Sequence, residues 1–147
     1  MLSRTMSIEA CFNPEGKTLH LSMNEENVLL VHNYSQDGVP IVAAQGDVDL
    51  CTQSTLRQSL ISTCDERKLT GGGKVAVDMR EVSFIDSAGL ALLVEIRKTY
   101  MATCQVALII AARSQPERVL KLGRFDTFLQ VCYTPEEVTG APAIVPV

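Results

Sequence analysis

Ser87 lies in Phe84-Ile85-Asp86-Ser87-Ala88-Gly89-Leu90, where an apolar run meets the first turn of a helical pattern. A serine at that junction presents one hydroxyl at the surface, either as a reacting group or as a helix cap. A Ser-His-Asp triad has little to draw on, because His20 and His32 both precede Pro40. A nucleophile elbow is excluded as well, since Ile85 stands where Gly-x-Ser-x-Gly needs its first glycine. Carboxylates are the remaining reactive groups: Asp47, Asp49 and Asp86 all fall where strands hand over to helices. Gathered on one rim, they could bind a divalent cation or make polar contacts with a protein. No zinc site is expected. The histidines are isolated, and Cys11, Cys51, Cys64, Cys104 and Cys132 include no Cys-x-x-Cys pair. Gly71-Gly72-Gly73 before Lys74 imitates a phosphate loop. It fails because Lys68 occupies the first glycine position and Val75 follows Lys74, where Ser or Thr is required. The chain reads as a non-enzyme with no cofactor and no metal.

Hydrophobic periodicity supplies the elements that place Ser87. Val75, Val77, Met79, Val82, Phe84 and Ile85 form a run expected to be a strand covered on both faces. Leu90, Leu92, Leu93, Ile96 and Tyr100 recur at helical spacing opposite Glu95, Arg97 and Lys98, which predicts an amphipathic helix over roughly 88–101. Asp86 and Ser87 are its N-cap candidates. Gly89 in the first turn costs about 1 kcal/mol relative to alanine, so a close approach of backbone or of a partner is expected there.

Upstream, Val28 to Tyr34 and Val39 to Gln45 flank Gln36-Asp37-Gly38, a hairpin signal. Thr18 to Met23 alternates as a short strand would, within an N-terminal extension, residues 1–25, that either pairs with the sheet edge or wanders. Leu56, Leu60 and Ile61 share one face of a helix expected to end before Lys68 and the glycine linker. Val106 to Ala111 reads as a strand, and Pro116 with Glu117 opens a helix near Ser114. Thr134-Pro135-Glu136-Glu137 repeats that start signal. The order predicts an α/β fold: one domain over 26–140, a mixed four- to five-stranded sheet with about four helices, and a flexible tail over 141–147.

The serine stretch resembles the phosphorylation motif of the anti-sigma factor antagonists, members of the STAS domain family (sulfate transporter and anti-sigma factor antagonist). Val39 to Asp49 resembles the family's second strand and its Gly-acidic-apolar-Asp turn, and Thr52 to Cys64 its first helix. Gln105 to Ala111 is similar to the fourth strand, and Pro116 to Val138 to the short helix, last strand and closing helix. Residues 28–140 are thus spanned in the family's order. The resemblance implies a phosphorylation-controlled partner switch. Unphosphorylated, such an antagonist binds an anti-sigma factor that is also an ATP-dependent serine kinase, which frees the sigma factor for stress-response transcription. Phosphorylation reverses this, and a serine phosphatase restores binding. The resemblance places the phosphoacceptor at Ser87 and partner contacts at Asp47, Asp49, Asp86, Ala88, Gly89 and Leu90. It also implies a monomer or weak dimer. A second role stays open: a constitutive STAS subunit of a lipid-transport complex or a stress-sensing scaffold, in which Ser87 only caps a helix. Ala88 replaces a second serine often found in the motif. In Leu122-Gly123-Arg124-Phe125 the family's glycine is displaced by one and Arg124 takes its place, which opens recognition of a different partner.

Composition agrees with this reading. With 147 residues, 46% hydrophobic and 20% charged, the chain suits one globular domain. A net charge of −4 without a basic run argues against nucleic-acid binding. No stretch of about 18 apolar residues is present to span a bilayer. Scattered cysteines, odd in number, and no opening secretory signal point to reduced thiols in the cytoplasm.

Overall fold

Asp37 and Gly38 take φ values of 50° and 82°, the left-handed pair that a two-residue type I′ hairpin requires. The hairpin joins β3 (Val28–Gln36) to β4 (Val39–Val48) in the computed structural model of the protein, which describes residues 6–12, 18–23 and 28–140. β1 (Met6–Phe12) and β2 (Thr18–Met23) precede them, and β5 (Gly73–Ile85), β6 (Cys104–Ile109) and β7 (Gln130–Cys132) follow. The sheet order is sequential from β1 to β7. Pairing is antiparallel from β1 to β4 and parallel from β4 to β7. α1 (Gln53–Leu69), α2 (Ser87–Tyr100) and α3 (Gln115–Leu122) lie in the parallel crossovers, and α4 (Pro135–Gly140) closes the domain.

Strand alternation sorts the core into two layers. Val31, Val42, Val77 and Leu108 pack with Leu56, Leu60, Leu92, Leu93, Ile96 and Leu120 of the first three helices. Ile41, Ala76, Ala107, Ile109 and Cys132 point the other way, toward Tyr34 and Val138 of α4. The expected mixed sheet and four helices are therefore present in β3–β7 and α1–α4. The extension adds β1 and β2 to the free edge of β3, which extends the sheet to seven strands.

Three local expectations are corrected. α1 does not stop before Lys68 but runs to Leu69, because basic Arg67 and Lys68 suit its last turn and the Thr70 hydroxyl donates to the Arg67 carbonyl at 2.9 Å. Gly71, Gly72 and Gly73, all at positive φ, then turn the chain into β5. Phe84 is not covered but 43% exposed, since β6 accompanies β5 only as far as Asp78. Ile61 sits at the margin of the α1 core face, 36% exposed, while Leu56 and Leu60 are buried. Gly140 ends α4, and the tail over 141–147 lies outside the described residues.

On the α4 face Asp78 is buried and fully engaged. Its carboxylate accepts from the Tyr34 hydroxyl at 2.7 Å and from Arg80 Nε and Nη2 at 3.0 and 2.8 Å. Burial alone would push the Asp78 carboxyl up, but the Arg80 and Tyr34 hydrogen bonds overcome it and hold the group below the usual carboxylate range. A carboxyl depressed in the folded state contributes stability that is complete above its unfolded pKa of about 4 and is lost as pH falls through the folded value. Asp78→Asn is therefore expected to be less stable than wild type at neutral pH, with the gap closing below about pH 4. Thermal unfolding of both proteins from pH 7 to pH 2 checks this; parallel curves would refute it.

Candidate functional site

Parallel pairing of Asp47 with Phe84 and of Val48 with Ile85 sets the β4–α1 turn beside the β5–α2 junction. The Asp86 N–H donates to the Val48 carbonyl at 3.2 Å and ties the two together. Asp47, Asp49 and Asp86 thus share one rim, as expected.

Asp86 is the N-cap of α2: its backbone is extended and its Oδ1 accepts from the Gly89 N–H at 3.1 Å. Ser87 is consequently the first helical residue. It is exposed, and its hydroxyl makes no hydrogen bond to any described residue. Gly89 is buried, and a Cβ there would lie 2.6 Å from Ile85 Cγ1 and 2.9 Å from Val48 Cγ1. The close approach foreseen at Gly89 is therefore made by the protein's own strands. Ala88 and Leu90 are half-buried on either side.

Across the rim, Asp49 Oδ1 accepts from the N–H groups of Cys51 and Thr52 at 2.9 and 3.1 Å. The buried Thr52 hydroxyl donates to the Asp47 carbonyl at 2.7 Å and accepts from the Asp49 N–H at 3.0 Å. Asp49 and Asp86 therefore shape the turn and cap the helix. Among the described residues no group of three His, Cys, Asp or Glu is arranged to hold a metal ion. Cys51, Cys64, Cys104 and Cys132 are free thiols, and burial beside Cys104 pushes the Cys64 thiol up to about 12. Leu50 and Phe84 leave apolar surface on the same rim, 74% and 43% exposed.

Along α2 from Ser87 runs a groove of about 580 Å³. Leu90, Ala91 and Val94 make its apolar floor, Phe125 one wall, and Glu95 and Lys98 its charged margin. Arg57 pairs with Glu95 and ties α1 to that margin. Phe125 reaches the groove because Arg124 adopts the left-handed backbone, φ 58°, while Gly123 ends α3 at φ −84°. Gly123 and Arg124 thus set the loop that delivers Phe125, although Phe125 itself carries no signal of its place in the sequence.

Gln115, the first residue of α3, was equally invisible in the sequence. Its Oε1 accepts from the Ile85 N–H at 2.8 Å and its Nε2 donates to the Ile85 carbonyl at 2.9 Å. Leaving such buried main-chain groups unpaired costs about 1–3 kcal/mol each.

The fold and the strand-to-helix site together define a single α/β STAS domain. A family model of the STAS domain matches residues 31–138, and the chain belongs to that family. Among solved structures it is similar to an anti-sigma factor antagonist from Mycobacterium paratuberculosis, at 18% identity over 77% of this chain and 92% of that one, TM-score 0.68. It is also similar to the Bacillus cell fate determinant SpoIIAA in its phosphorylated form, at 14% identity over 76% and 99% of the two chains, TM-score 0.52. The unphosphorylated anti-sigma factor antagonist SpoIIAA matches at 15% identity over 73% and 91%, TM-score 0.50. At these identities the likeness is one of fold. No helix among the described residues is long and apolar enough to cross a membrane.

Proposed function

We propose that the protein is an anti-sigma factor antagonist whose binding to an anti-sigma factor kinase is governed by phosphorylation of Ser87. The observation that carries this reading is the unbonded, exposed Ser87 hydroxyl at the mouth of the apolar α2 groove, flanked by the Asp86 cap. A phosphate there adds about −1.5 to −2 charges at neutral pH. The free N–H groups and dipole of α2 accommodate it, so the fold survives modification. The surface does not stay the same: a dianion joins Asp86, Asp47 and Asp49 on one rim and stands where a partner enters the groove. Partner contacts then involve Asp47, Asp49, Asp86, Ala88 and Leu90, with Gly89 setting the position of the helix beneath them. A serine phosphatase returns the protein to its binding form.

Intact-mass and phosphosite mapping of the protein from its native cells, with and without phosphatase, tests the reading. A single phosphate on Ser87 whose occupancy changes with growth or stress is the expected result. Its absence across those conditions would end the switch proposal and favour a constitutive subunit of a transport complex or scaffold.

A further inference from the structure

We infer that Gln115 is a positioning residue for Ser87, an inference that rests on the phosphoacceptor role proposed above. β6 leaves the side of β5 after the Asp78–Ile109 pair. Ile85, two residues before Ser87 and 1% exposed, therefore has no strand on that side to take its main-chain groups. The Gln115 side chain replaces the missing strand. A primary amide has the donor and acceptor of a peptide group, and here it makes both bonds to one residue, at 2.8 and 2.9 Å. The two bonds hold both peptide groups that flank the Ile85 Cα, the second of which leads into Asp86. On the opposite side β4 holds the next residue through the Asp86 N–H to Val48 carbonyl bond. The mount of Ser87 is thus gripped between β4 and α3. The α3 end of the grip is itself held, because Ser114 caps the helix with its Oγ accepting from the Glu117 N–H at 3.3 Å, and Pro116 is buried.

In the modification, the Ser87 oxygen bonds to the γ-phosphorus of ATP as the bond to the bridging oxygen breaks. ADP leaves, and the hydroxyl proton passes to the kinase or to water. A displacement of about 1 Å in a reacting atom can cost about a hundredfold in rate. Gln115 controls that alignment without touching the kinase.

The test uses full-length wild type, Gln115→Met, which keeps the bulk, and Gln115→Glu, which keeps the acceptor but loses the donor. Native-cell extract with ATP phosphorylates each at varied protein concentration, with Ser87 phosphate followed by intact mass below the unfolding transition of all three. The expected result is a maximal rate lower by about tenfold or more in both variants, with the half-saturating concentration little changed. Amide exchange at Ile85, Asp86 and Gly89, whose N–H groups are bonded, should quicken in both, and α1 should be unaffected. Wild-type rates in folded variants would overturn the positioning role alone. A loss confined to half-saturation would overturn it too, by making Gln115 a contact. Failure of the wild type itself to accept phosphate at Ser87 would overturn the proposed function, and this inference with it.

Discussion

Protein phosphorylated on Ser87 is expected to bind its kinase partner at least about a hundredfold more weakly than the unmodified chain, equivalent to about 2.7 kcal/mol. Ser87 begins α2 and opens onto the groove floored by Leu90, Ala91 and Val94, so a partner packed there meets any group added to Oγ. Asp86 and the Asp47–Asp49 turn already make the rim acidic, and like charges brought together across an interface cost several kcal/mol. Ser87→Ala should bind as the unmodified protein does and escape regulation. The deciding comparison is a binding titration of Ser87→Ala, Ser87→Glu and enzymatically phosphorylated protein. Glutamate carries one charge and lacks the phosphate oxygens, so an intermediate loss is expected for it. Equal affinities for the alanine variant and the phosphorylated protein would sink the switch. The melting temperature of the phosphorylated protein should stay near that of the unmodified one, because α2 offers its N-terminal end to the phosphate.

Gly46→Ala is expected to be the most damaging of the small substitutions near the site. Gly46 has φ +120°, and an added Cβ would lie 2.3 Å from the Val28 carbonyl oxygen, which belongs to the backbone of the neighbouring strand β3. No rotamer change relieves that contact. Backbone strain of this kind costs about 1–3 kcal/mol and overpacking about as much again. A total of about 2–6 kcal/mol corresponds to a melting temperature lower by roughly 5–25 °C in a domain of this size. Gly71→Ala is the control, since Gly71 has φ +105° but open space around it and suffers only the backbone strain. Thermal unfolding of the two variants would refute the account if Gly46→Ala lost no more than Gly71→Ala. Because Gly46 leads into Asp47 and Asp49, a surviving Gly46→Ala protein should also show a disturbed rim, with faster amide exchange at Cys51 and Thr52, whose N–H groups bond to Asp49.

The Ser87 junction was legible in the residues because the periodicity and the cap that mark it act between near neighbours. Apolar periodicity sets β5 and α2, an acid at the cap satisfies α2, and Asp37-Gly38 closes its hairpin within two residues. The acids Asp47, Asp49 and Asp86 were also foreseeable on one rim, since parallel strands bring their C-terminal ends together. What Asp49 does there was not: it holds a turn through hydrogen bonds that composition does not reveal, whereas Asp86 takes the cap position that its place before the helix offered.

The amino-acid sequence by itself determined an α/β domain with a serine at the start of its central helix, and its family pattern along most of the chain. Only the tertiary structure decided the exposure of Phe84, the groove wall at Phe125, the Tyr34–Asp78–Arg80 network and the Gln115 grip on Ile85. Each depends on where one element ends relative to another. β6 stops at Ile109 while β5 continues to Ile85, and that difference leaves Phe84 uncovered and gives the Gln115 amide a place to bond. Periodicity records which face of an element is apolar, but the length and register of its neighbours settle what each face meets.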